Sequence, residues 1–449
     1  MATTTTECID LAIIGGGPAG LAAAISAARA GAHPVVIEGR DRLAETIRPT
    51  GDGRCNISNS HVTAWDYHNA DFVRRAFLSC HPKQVRAFLE GCGIMLREEA
   101  QGRLYPQPNK STAVIEALLA AARRADVESR TGKRVRFLRR NADVWTISFE
   151  DGSRLRARSV IVCTGGGLAG EFVPHAVSVE PARPVLAPLA CNERAVRGLD
   201  KIRVKCALTW EDVVEEGEIT FRSYGISGIC AFNISRFVEP GQTVHVDFAP
   251  ALDRSNGSVF LRQRLDSLEP RTWREFTTGM LLPPVAAAVL RAAAIQEGSR
   301  PRRGDLAAFE EAWRAFPLAV KGIGDARLAQ VRRGGIAVSC IDPRTMAVKD
   351  APGLHAAGEA VDVDGPCGGY NLHWAWASGI IAGHAVAQGA SSSPSKRASC
   401  SSRAHSSAPK HVRITEGLAC EKGVPEEDGS RSPHGGEEAS SAQDDEVGA

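Results

Sequence analysis

Three glycines and one glutamate near the start of the chain have the types and spacing that bind a dinucleotide. Gly15, Gly17 and Gly20 form a G-x-G-x-x-G pattern, and Glu38 follows later in the same segment. Gly15 permits a sharp turn, Gly17 lacks the Cβ that would keep a pyrophosphate from the backbone, and Gly20 allows close helix packing. A carboxylate at position 38 can accept hydrogen bonds from adenosine ribose hydroxyls. The pattern therefore predicts a dinucleotide site, and by itself it does not separate FAD from NAD.

These residues need a βαβ unit to position them. The sequence IDLAII predicts a buried strand at residues 9–14, PAGLAAAISAARA a helix at 18–30, and PVVI a second buried strand at 34–37. Such a helix directs its unpaired N–H groups and the positive end of its dipole at the phosphates. The glycines and the acid then lie at the same edge of the predicted sheet.

The loop RPTGDGRCNISNS after the second strand contains further candidates. Two glycines flank Asp52, and Arg54, Cys55 and Asn56 follow. A loop at this point in a dinucleotide fold can reach the phosphates or the reactive end of the cofactor. The alternative is a capped surface turn. Cys55 also suggests a disulfide reductase, but such an enzyme needs a second cysteine close by, and Ser60 stands there instead.

Residues 71–125 are predicted to be helical, with an interruption at the proline-containing stretch GRLYPQPNKS. Residues 127–162 alternate like the strands of a meander. Arginines at alternate positions of this meander indicate a solvated face, or else a nucleic-acid patch.

A second glycine pattern follows the strand SVIVC. The prolines after it leave no room for a crossover helix, so a second dinucleotide site is disfavoured. We expect Thr164 and Gly165 to mark a strand end that passes close to the first cofactor.

The character of the chain changes between residues 186 and 335. Short antiparallel-type strands are followed by helical segments at 256–274 and 285–316. This composition predicts an inserted substrate domain. Tyr224, in the loop RSYGISGIC, is a candidate proton donor or a buried tyrosine with a satisfied hydroxyl.

A dense segment closes the ordered part of the chain. Residues 354–357 are predicted to form a strand that ends at Gly358 and Glu359. A glycine-rich turn at 362–369 precedes a helix at 370–387. An acid and a helix N-terminus that return to the first sheet suit an extended FAD better than NAD.

Composition limits the classes of partner. The 449 residues carry a net charge of +2, which favours neither nucleic acid nor membrane as a partner. The twelve cysteines show no metal-site spacing, so we expect no metal centre and reduced cytoplasmic thiols. The start of the chain lacks a basic signal region, and no transmembrane helix is predicted. Residues 389–449 are rich in Ser, Gly and charges and are predicted to be disordered.

Taken together, the motifs resemble the HI0933-like flavoprotein family (the BaiN and YhiN type), which comprises NAD(P)/FAD-dependent oxidoreductases, some of them aminoacetone-oxidase-like. The resemblance covers roughly residues 8–388 and rests on IIGGGPAGLAAAISAARAG, TGDGRCNISN, GRLYPQPNKS, YGISG and GEAVDVDGPCGGYNLHWAWASG. It implies an α/β fold with a glutathione-reductase-type FAD-binding Rossmann-like domain at 8–185 and 336–388. An inserted domain at 186–335, with a small β-barrel and a helical part, would split that domain.

The resemblance also implies roles for individual residues. Around the adenosine diphosphate it places Gly15, Gly17, Ala19, Gly20 and Glu38. Near the pyrophosphate and isoalloxazine it places Arg54, Cys55 and Asn56. By the ribityl and pyrimidine side it places Glu359, Asp362, Gly369, Tyr370, Asn371 and Leu372.

The expected chemistry is hydride transfer from NADH or NADPH through flavin N5 to a small organic, unsaturated acceptor, with a protein acid supplying the proton. Tyr370, Tyr224 and His373 are the candidates for that acid, in this order, with Cys55 nearby. A flavin-dependent amine oxidase that uses oxygen is the alternative within enzymes. An RNA-binding or tRNA-modifying flavoprotein is the alternative of another class.

Overall fold

The computed structural model describes residues 7–391 of the chain. The strands and helices up to residue 185 are β1 (Cys8–Ile14), α1 (Pro18–Arg29), β2 (Pro34–Ile37), β3 (Ser58–Asn59), α2 (Ala70–Ala76), α3 (Pro82–Gly91), β4 (Leu96–Glu98), β5 (Arg103–Pro106), α4 (Ser111–Arg124), β6 (Glu128–Arg130), β7 (Val135–Asn141), β8 (Val144–Phe149), β9 (Arg154–Val162) and β10 (Val179–Val185). Those that follow are β11 (Leu189–Cys191), α5 (Glu193–Val196), β12 (Arg203–Trp210), β13 (Val213–Arg222), β14 (Gly225–Ser227), α6 (Ile229–Ile234), β15 (Thr243–Asp247), α7 (Gly257–Leu268), α8 (Trp273–Thr277), α9 (Pro283–Ala292), α10 (Leu306–Arg314), β16 (Phe316–Ile323), β17 (Val331–Ile336), β18 (Leu354–Ala356) and α11 (Tyr370–Ser391).

The predicted βαβ unit is present as β1, α1 and β2. Its observed limits lie within one residue of the prediction. A Cβ at Gly20 would collide with the carbonyl oxygen of Gly15, so α1 can approach β1 only because this position is glycine. The second close approach is between α1 and α11, where Gly379 faces the carbonyl of Ala19.

The central sheet has the strand order β6-β2-β1-β9-β8-β7, and β18 also pairs with β9. β1 is parallel to both β2 and β9, and β18 is parallel to β9, whereas β7, β8 and β9 form an antiparallel meander. Ile14, Val162 and Ala356 therefore end three neighbouring parallel strands at one edge. Ligands of open α/β sheets bind beyond this edge, so the sheet brings the candidate segments together.

A small antiparallel sheet, β3-β5-β4, corrects the prediction of helix only at β4, because β5 lies in the predicted interruption at GRLYPQPNKS. The helices α2, α3 and α4 are present, but β4 and β5 form between them because β5 pairs with β3, far back in the chain. This long-range pairing has no local signal in the sequence. It fixes the segment immediately after Cys55.

The middle of the chain forms a closed six-stranded barrel of order β11-β14-β13-β12-β15-β16. Helices α7 to α10 surround an aromatic cluster in which the Trp273 ring lies 5.0 Å from the rings of Phe276 and Phe309. The barrel and the helical part implied by the family resemblance are thus confirmed. The domain limits at residues 185 and 335 stay a prediction.

The apolar core has two main clusters. One combines side chains from residues 11–177 and 336–386, and the other lies within 189–320. Among residues 7–391, no helix is long and apolar enough to cross a bilayer. The predicted disordered tail began at residue 389, but residues 389–391 belong to α11. The rest of that predicted tail lies outside the described residues.

Candidate functional site

The turn between β1 and α1 is shaped for a phosphate group. Gly15 has a φ of +104°, which residues with a Cβ rarely adopt. Gly17 is the N-cap and Pro18 the first residue of α1, and no side chain of the described residues caps this end. The N–H groups of Ala19 and Gly20 are therefore available to an anion, and the helix dipole favours one.

Glu38 lies beside this turn. Its carboxylate accepts hydrogen bonds from the backbone N–H groups of Gly16 (2.8 Å) and Arg40 (2.9 Å). Each oxygen keeps further acceptor capacity. The side chain is thus fixed at the end of β2, where a ribose can donate to it.

Thr164 supplies an unsatisfied polar group at the same edge. Its Oγ1 is buried and has no hydrogen-bond partner among residues 7–391. The neighbouring Gly165 has a φ of +79°, and a Cβ on Gly15 would lie 3.3 Å from the Thr164 nitrogen. A buried hydroxyl without a partner next to the phosphate turn fits a site that a polar cofactor completes.

Cys55 is held in a strained, buried loop. Gly51, Asp52, Gly53 and Cys55 all have positive φ, and for Cys55 the value is +60°. Its side chain is fully buried. Burial raises the pKa of the Cys55 thiol to about 11, against a smaller opposing effect of a hydrogen bond with Thr50. The thiol is therefore protonated at neutral pH and a poor nucleophile.

Arg54 points to other parts of the protein. Its Nε donates to Asn109 (2.8 Å) and its Nη2 to Glu99 (2.5 Å). The guanidinium also lies 4.2 Å from the ring centre of Tyr105. Its role at the pyrophosphate stays a prediction.

The segment 56–59 is fastened to α11. The side-chain amide of Asn56 lies beside Gly369, where an added Cβ would be 2.9 Å from it. The indole of Trp376 donates to the carbonyl of Ile57 at 3.0 Å. The amide of Asn59 donates to the carbonyl of Gly368 at 3.0 Å. Two motifs far apart in sequence therefore form one wall.

His373 contributes to this wall as a neutral group. Its Nδ1 lies 2.8 Å from the hydroxyl of Ser58, and its ring packs edge-on against Phe77. Burial, together with a smaller effect of His81, lowers the pKa of His373 to about 3. Nε2 is buried without a partner among the described residues. An imidazole that is neutral at physiological pH is a poor proton donor.

Tyr370 begins α11 next to a guanidinium that the sequence did not indicate. A Cβ added to Gly368 would lie 3.7 Å from Cε2 of Tyr370 and 3.8 Å from Nε of Arg103, so both side chains border this glycine. Burial raises the pKa of Tyr370, Asp66 raises it further, and Arg103 opposes both. Tyr67 donates from its hydroxyl to the carbonyl of Tyr370 at 2.9 Å.

Asn371 shapes the turn before the helix. Its side-chain oxygen accepts from the N–H of Gly365 (2.8 Å), and its amide donates to the carbonyl of Gly365 (2.9 Å). Gly369, with a φ of +97°, fits closely against the carbonyl of Ser58. The N–H groups of Tyr370, Asn371 and Leu372 belong to the first turn of α11, where they have no intrahelical acceptor and a polar ring edge could accept from them.

The segment after β18 crosses the first turn of α1. A Cβ on Gly358 would lie 2.8 Å from Cβ of Ala19, and the Gly358 N–H donates to Ser378 at 2.9 Å. Burial raises the pKa of the adjacent Glu359 to about 7, with the N–H groups of Gly166 and Arg332 opposing the rise. Gly358 and Glu359 thus lie between the two halves of the predicted site.

Asp362 is held in place by other residues of the protein. One carboxylate oxygen accepts from the Gly334 N–H (3.0 Å), and the other lies 3.2 Å from the Asn69 amide and 3.5 Å from His68. Burial raises the pKa of Asp362, but His68 and these donors outweigh it, so the net shift is downward. The carboxylate is therefore ionised.

Asp364, two residues further on, was not indicated by the sequence. It accepts from Nε of Arg236 (2.8 Å) and from Nε of Arg333 (2.5 Å), and it is 1% exposed. This cluster ties the loop before α11 to Arg236, which lies between the barrel strands β14 and β15, and to Arg333 in β17.

Tyr224 lies in a different environment. Its ring packs against Gly324, and its carbonyl accepts from the N–H of Cys191 at 2.8 Å. Burial raises the pKa of Tyr224, while Arg222 lowers it. No hydrogen bond or ring contact among residues 7–391 joins it to Tyr370 or to His373.

The family model for the HI0933-like protein Rossmann domain matches residues 9–385. This chain belongs to the HI0933-like family. The HI0933-like fold is an FAD-binding Rossmann type, and the protein is an oxidoreductase.

Named relatives of this HI0933-like protein act on different substrates. The 3-dehydro-bile acid delta(4,6)-reductase of Clostridium scindens is 32% identical over 406 residues, which cover 84% of this chain and 99% of the relative. The ribosomal RNA dihydrouridine synthase of Escherichia coli is 25% identical over 395 residues, covering 83% and 96% respectively. A solved 3-ketosteroid-delta4-(5alpha)-dehydrogenase from Rhodococcus jostii is 16% identical with a TM-score of 0.42, covering 86% of this chain and 99% of the other.

Proposed function

We propose that this protein uses FAD and a nicotinamide donor, NADH or NADPH, to reduce a carbon–carbon double bond conjugated to a carbonyl in a small organic substrate. The arrangement around Gly368 carries the proposal. The Tyr370 ring, Nε of Arg103 and the amide of Asn59 all lie within 4 Å of a Cβ position there. The Tyr370 ring and a guanidinium nitrogen of Arg103 thus lie beside the same glycine, immediately before α11.

The described residues fit FAD as the cofactor. The glycine turn after β1 and Glu38 would hold the adenosine diphosphate, and the unsatisfied hydroxyl of Thr164 would hydrogen-bond to the same ligand. The first-turn N–H groups of α11 would bind the pyrimidine edge. When bound, FAD would supply hydride transfer at its N5 atom.

Tyr370 and Arg103 would act on the substrate. Because its pKa is raised, the Tyr370 hydroxyl stays protonated at neutral pH and can donate a proton to the reacting substrate. Arg103 donates one hydrogen bond to Gln101 and retains other N–H donors that can bind the substrate carbonyl oxygen. Hydrogen bonds from Arg103 would stabilise the negative charge that develops on this oxygen during the reaction.

The relative from Clostridium scindens supports this reaction class, since its name describes reduction of double bonds in a dehydro bile acid. This chain covers 99% of that relative. We extend the reaction class, and not the particular bile acid, to this protein.

Anaerobic absorbance spectra test the proposal. Purified protein mixed with NADH or NADPH should lose its oxidised-flavin band, and a conjugated dienone should restore the band while its saturated analogue should not. Bleaching by an amine but by neither nicotinamide would contradict the reductase and favour the amine oxidase. Absence of a flavin band after reconstitution with FAD would overturn the cofactor assignment.

Reduction of uridine in RNA is a second candidate, favoured by the relative from Escherichia coli. The double bond of uracil is likewise conjugated to a carbonyl, so the same pair of side chains could serve. Incubation with protein-free ribosomal RNA and NADPH, followed by nucleoside mass spectrometry, would distinguish the two. Dihydrouridine formation without turnover of dienones would replace the first candidate.

A further inference from the structure

The meander of β7, β8 and β9 presents an exposed cationic face. Phe137, Arg139, Arg154 and Arg156 form this arginine face, and all four are exposed. Cross-strand register places Arg139, Thr146 and Arg156 in one row, and Phe137, Ser148 and Arg154 in the next. The core-facing positions, such as Ile147 and Leu155, alternate with them.

Within residues 7–391, the arginine face has no counter-charges. No carboxylate of the described residues lies within 4 Å of Arg139, Arg154 or Arg156. At its borders, by contrast, Lys133 pairs with Asp151 at 2.6 Å and Arg158 pairs with Asp10 at 3.5 Å. Arg154 and Arg156 are about 7 Å apart along β9, and Arg139 lies about 10 Å from Arg156 across β8, distances close to the Debye length of about 8 Å at physiological ionic strength. The guanidinium groups therefore repel one another until a polyanion covers them.

Two further features favour a nucleic acid over another polyanion. Phe137 is 42% exposed on the edge strand β7, beside the cations, where an unstacked base can lie on its ring. In the same row, the hydroxyl of Ser148 is buried and has no partner among residues 7–391. Thr146 and Asn141, which share a hydrogen bond of 3.3 Å, offer polar groups for a ribose 2′-hydroxyl.

We propose that the arginine face binds single-stranded RNA. Phosphates would pair with Arg139, Arg154 and Arg156, and a base would stack on Phe137. The face lies near the amino end of β9, about 20 Å from the carboxyl end where Thr164 lies, at about 3.3 Å per residue. It is therefore separate from the candidate cofactor site, and the proposal does not depend on which substrate is reduced.

Fluorescence anisotropy with the full chain tests the proposal. The probe is a labelled single-stranded RNA of mixed sequence, titrated at several KCl concentrations, with DNA of the same sequence as a second probe. The variant R139Q/R154Q/R156Q should bind at least about tenfold more weakly, and its dependence of log Kobs on log salt should be shallower by about 2. Phe137→Ala should weaken binding without changing the salt slope.

The matched control is R274Q/R303Q/R327Q, which removes the same charge from arginines that are already ion-paired. The control should bind like the wild type, and all variants should retain flavin-dependent turnover. Equal weakening by the control, equal affinity for DNA, or a wild type without measurable RNA binding would each overturn the proposal. Ultraviolet cross-linking of wild-type protein should map to residues 135–158, and cross-links confined elsewhere would likewise contradict it.

Discussion

The hydroxyl of Ser58 lies 2.8 Å from Nδ1 of His373, and 315 residues separate the two in the chain. Both side chains are almost fully buried. This contact joins the end of the Cys55 loop to the first turn of α11, and with Trp376 and Asn59 it holds the two motifs together. It also holds the imidazole away from water, which would otherwise stabilise the protonated form.

We expect His373 to make the protein less stable in acid. Its folded pKa of about 3 lies below the unfolded value of about 6.5, so the unfolded state binds the proton between these values. The free energy of unfolding should therefore fall by about 2 kcal/mol from this residue as the pH drops from 7 to 5. Urea unfolding of His373→Gln at both pH values should show a correspondingly smaller difference.

Ser58→Ala is the control for that prediction. It removes the hydrogen bond to Nδ1 but leaves the imidazole buried, so it should lower stability at both pH values by about 1 kcal/mol and keep the wild-type difference between them. An unchanged pH difference in His373→Gln would show that His373 is accessible to protons in the folded state.

Cys55 should behave as an inert thiol. Burial raises its pKa to about 11, so its reaction with iodoacetamide at pH 8 should be slower than in urea by about a hundredfold or more. Peptide mass mapping measures this, with the less buried Cys340 as the internal comparison. Cys55→Ser should keep turnover within about threefold, because the thiol is not the nucleophile. A loss of flavin reduction in that variant would restore a redox role for Cys55.

Tyr370→Phe should lower kcat by about a hundredfold, because it removes the proton donor while keeping the ring. The absorbance spectrum and the rate of flavin reduction by the nicotinamide should be unchanged. Tyr224→Phe is the matched control and should retain kcat, since Tyr224 packs against Gly324. In the wild type, any alkaline fall of kcat should lie above the range of free tyrosine, because the pKa is raised. Equal losses in both variants would exclude Tyr370 as the specific acid.

Local patterns were sufficient to predict the βαβ unit, because glycine spacing and continuous apolar runs reflect contacts between neighbours in sequence. The limits of α1 and β2 could be predicted for this reason. The pairing of β3 with β5 could not, since its partners are more than forty residues apart and carry no periodic signal. Arg103 was missed with it, because its place beside Tyr370 depends on that pairing.

Asp364 was missed for a related reason. Its neighbours in the sequence VDVDGP look like an ordinary polar turn, and the arginines that bind it are 128 and 31 residues away. The recognised motif did indicate a cofactor loop, but not the charge that holds the loop in place. The spacing of residues in the sequence cannot predict such a cluster, because its members come from three separate segments of the chain.

Removing the charge of Asp364 should strongly lower the free energy of unfolding. Burial raises the pKa of this carboxyl, but Arg333 and Arg236 outweigh burial and lower it overall, so it is ionised at neutral pH. Asp364→Asn would leave two buried guanidinium groups facing a neutral amide, and it should lower the free energy of unfolding by about 3–5 kcal/mol. The control Asp266→Asn breaks an exposed pair with Arg303 and should cost no more than about 1 kcal/mol. Thermal denaturation compares the two, and similar shifts would contradict the prediction.

Removing the charge of Glu359, in contrast to Asp364, should raise the free energy of unfolding, because the fold disfavours its ionised form. Its pKa is raised to about 7, above the unfolded value of about 4.3, so the folded state holds more protons between these values. The free energy of unfolding then falls as the pH rises through this window. Glu359→Gln removes the charge but keeps the shape, so it should be more stable than the wild type by about 3 kcal/mol at pH 8 and by only about 1 kcal/mol at pH 5.

The pH dependence separates this effect from any contact between Glu359 and the flavin. Loss of a flavin contact would lower stability at both pH values, because bound ligand stabilises the fold by mass action. Urea unfolding at a fixed FAD concentration at pH 5 and pH 8 measures both contributions. The exposed substitution Glu116→Gln should change stability by no more than about 0.5 kcal/mol at either pH. A Glu359→Gln variant that is no more stable relative to wild type at pH 8 than at pH 5 would show that this carboxylate ionises freely in the fold.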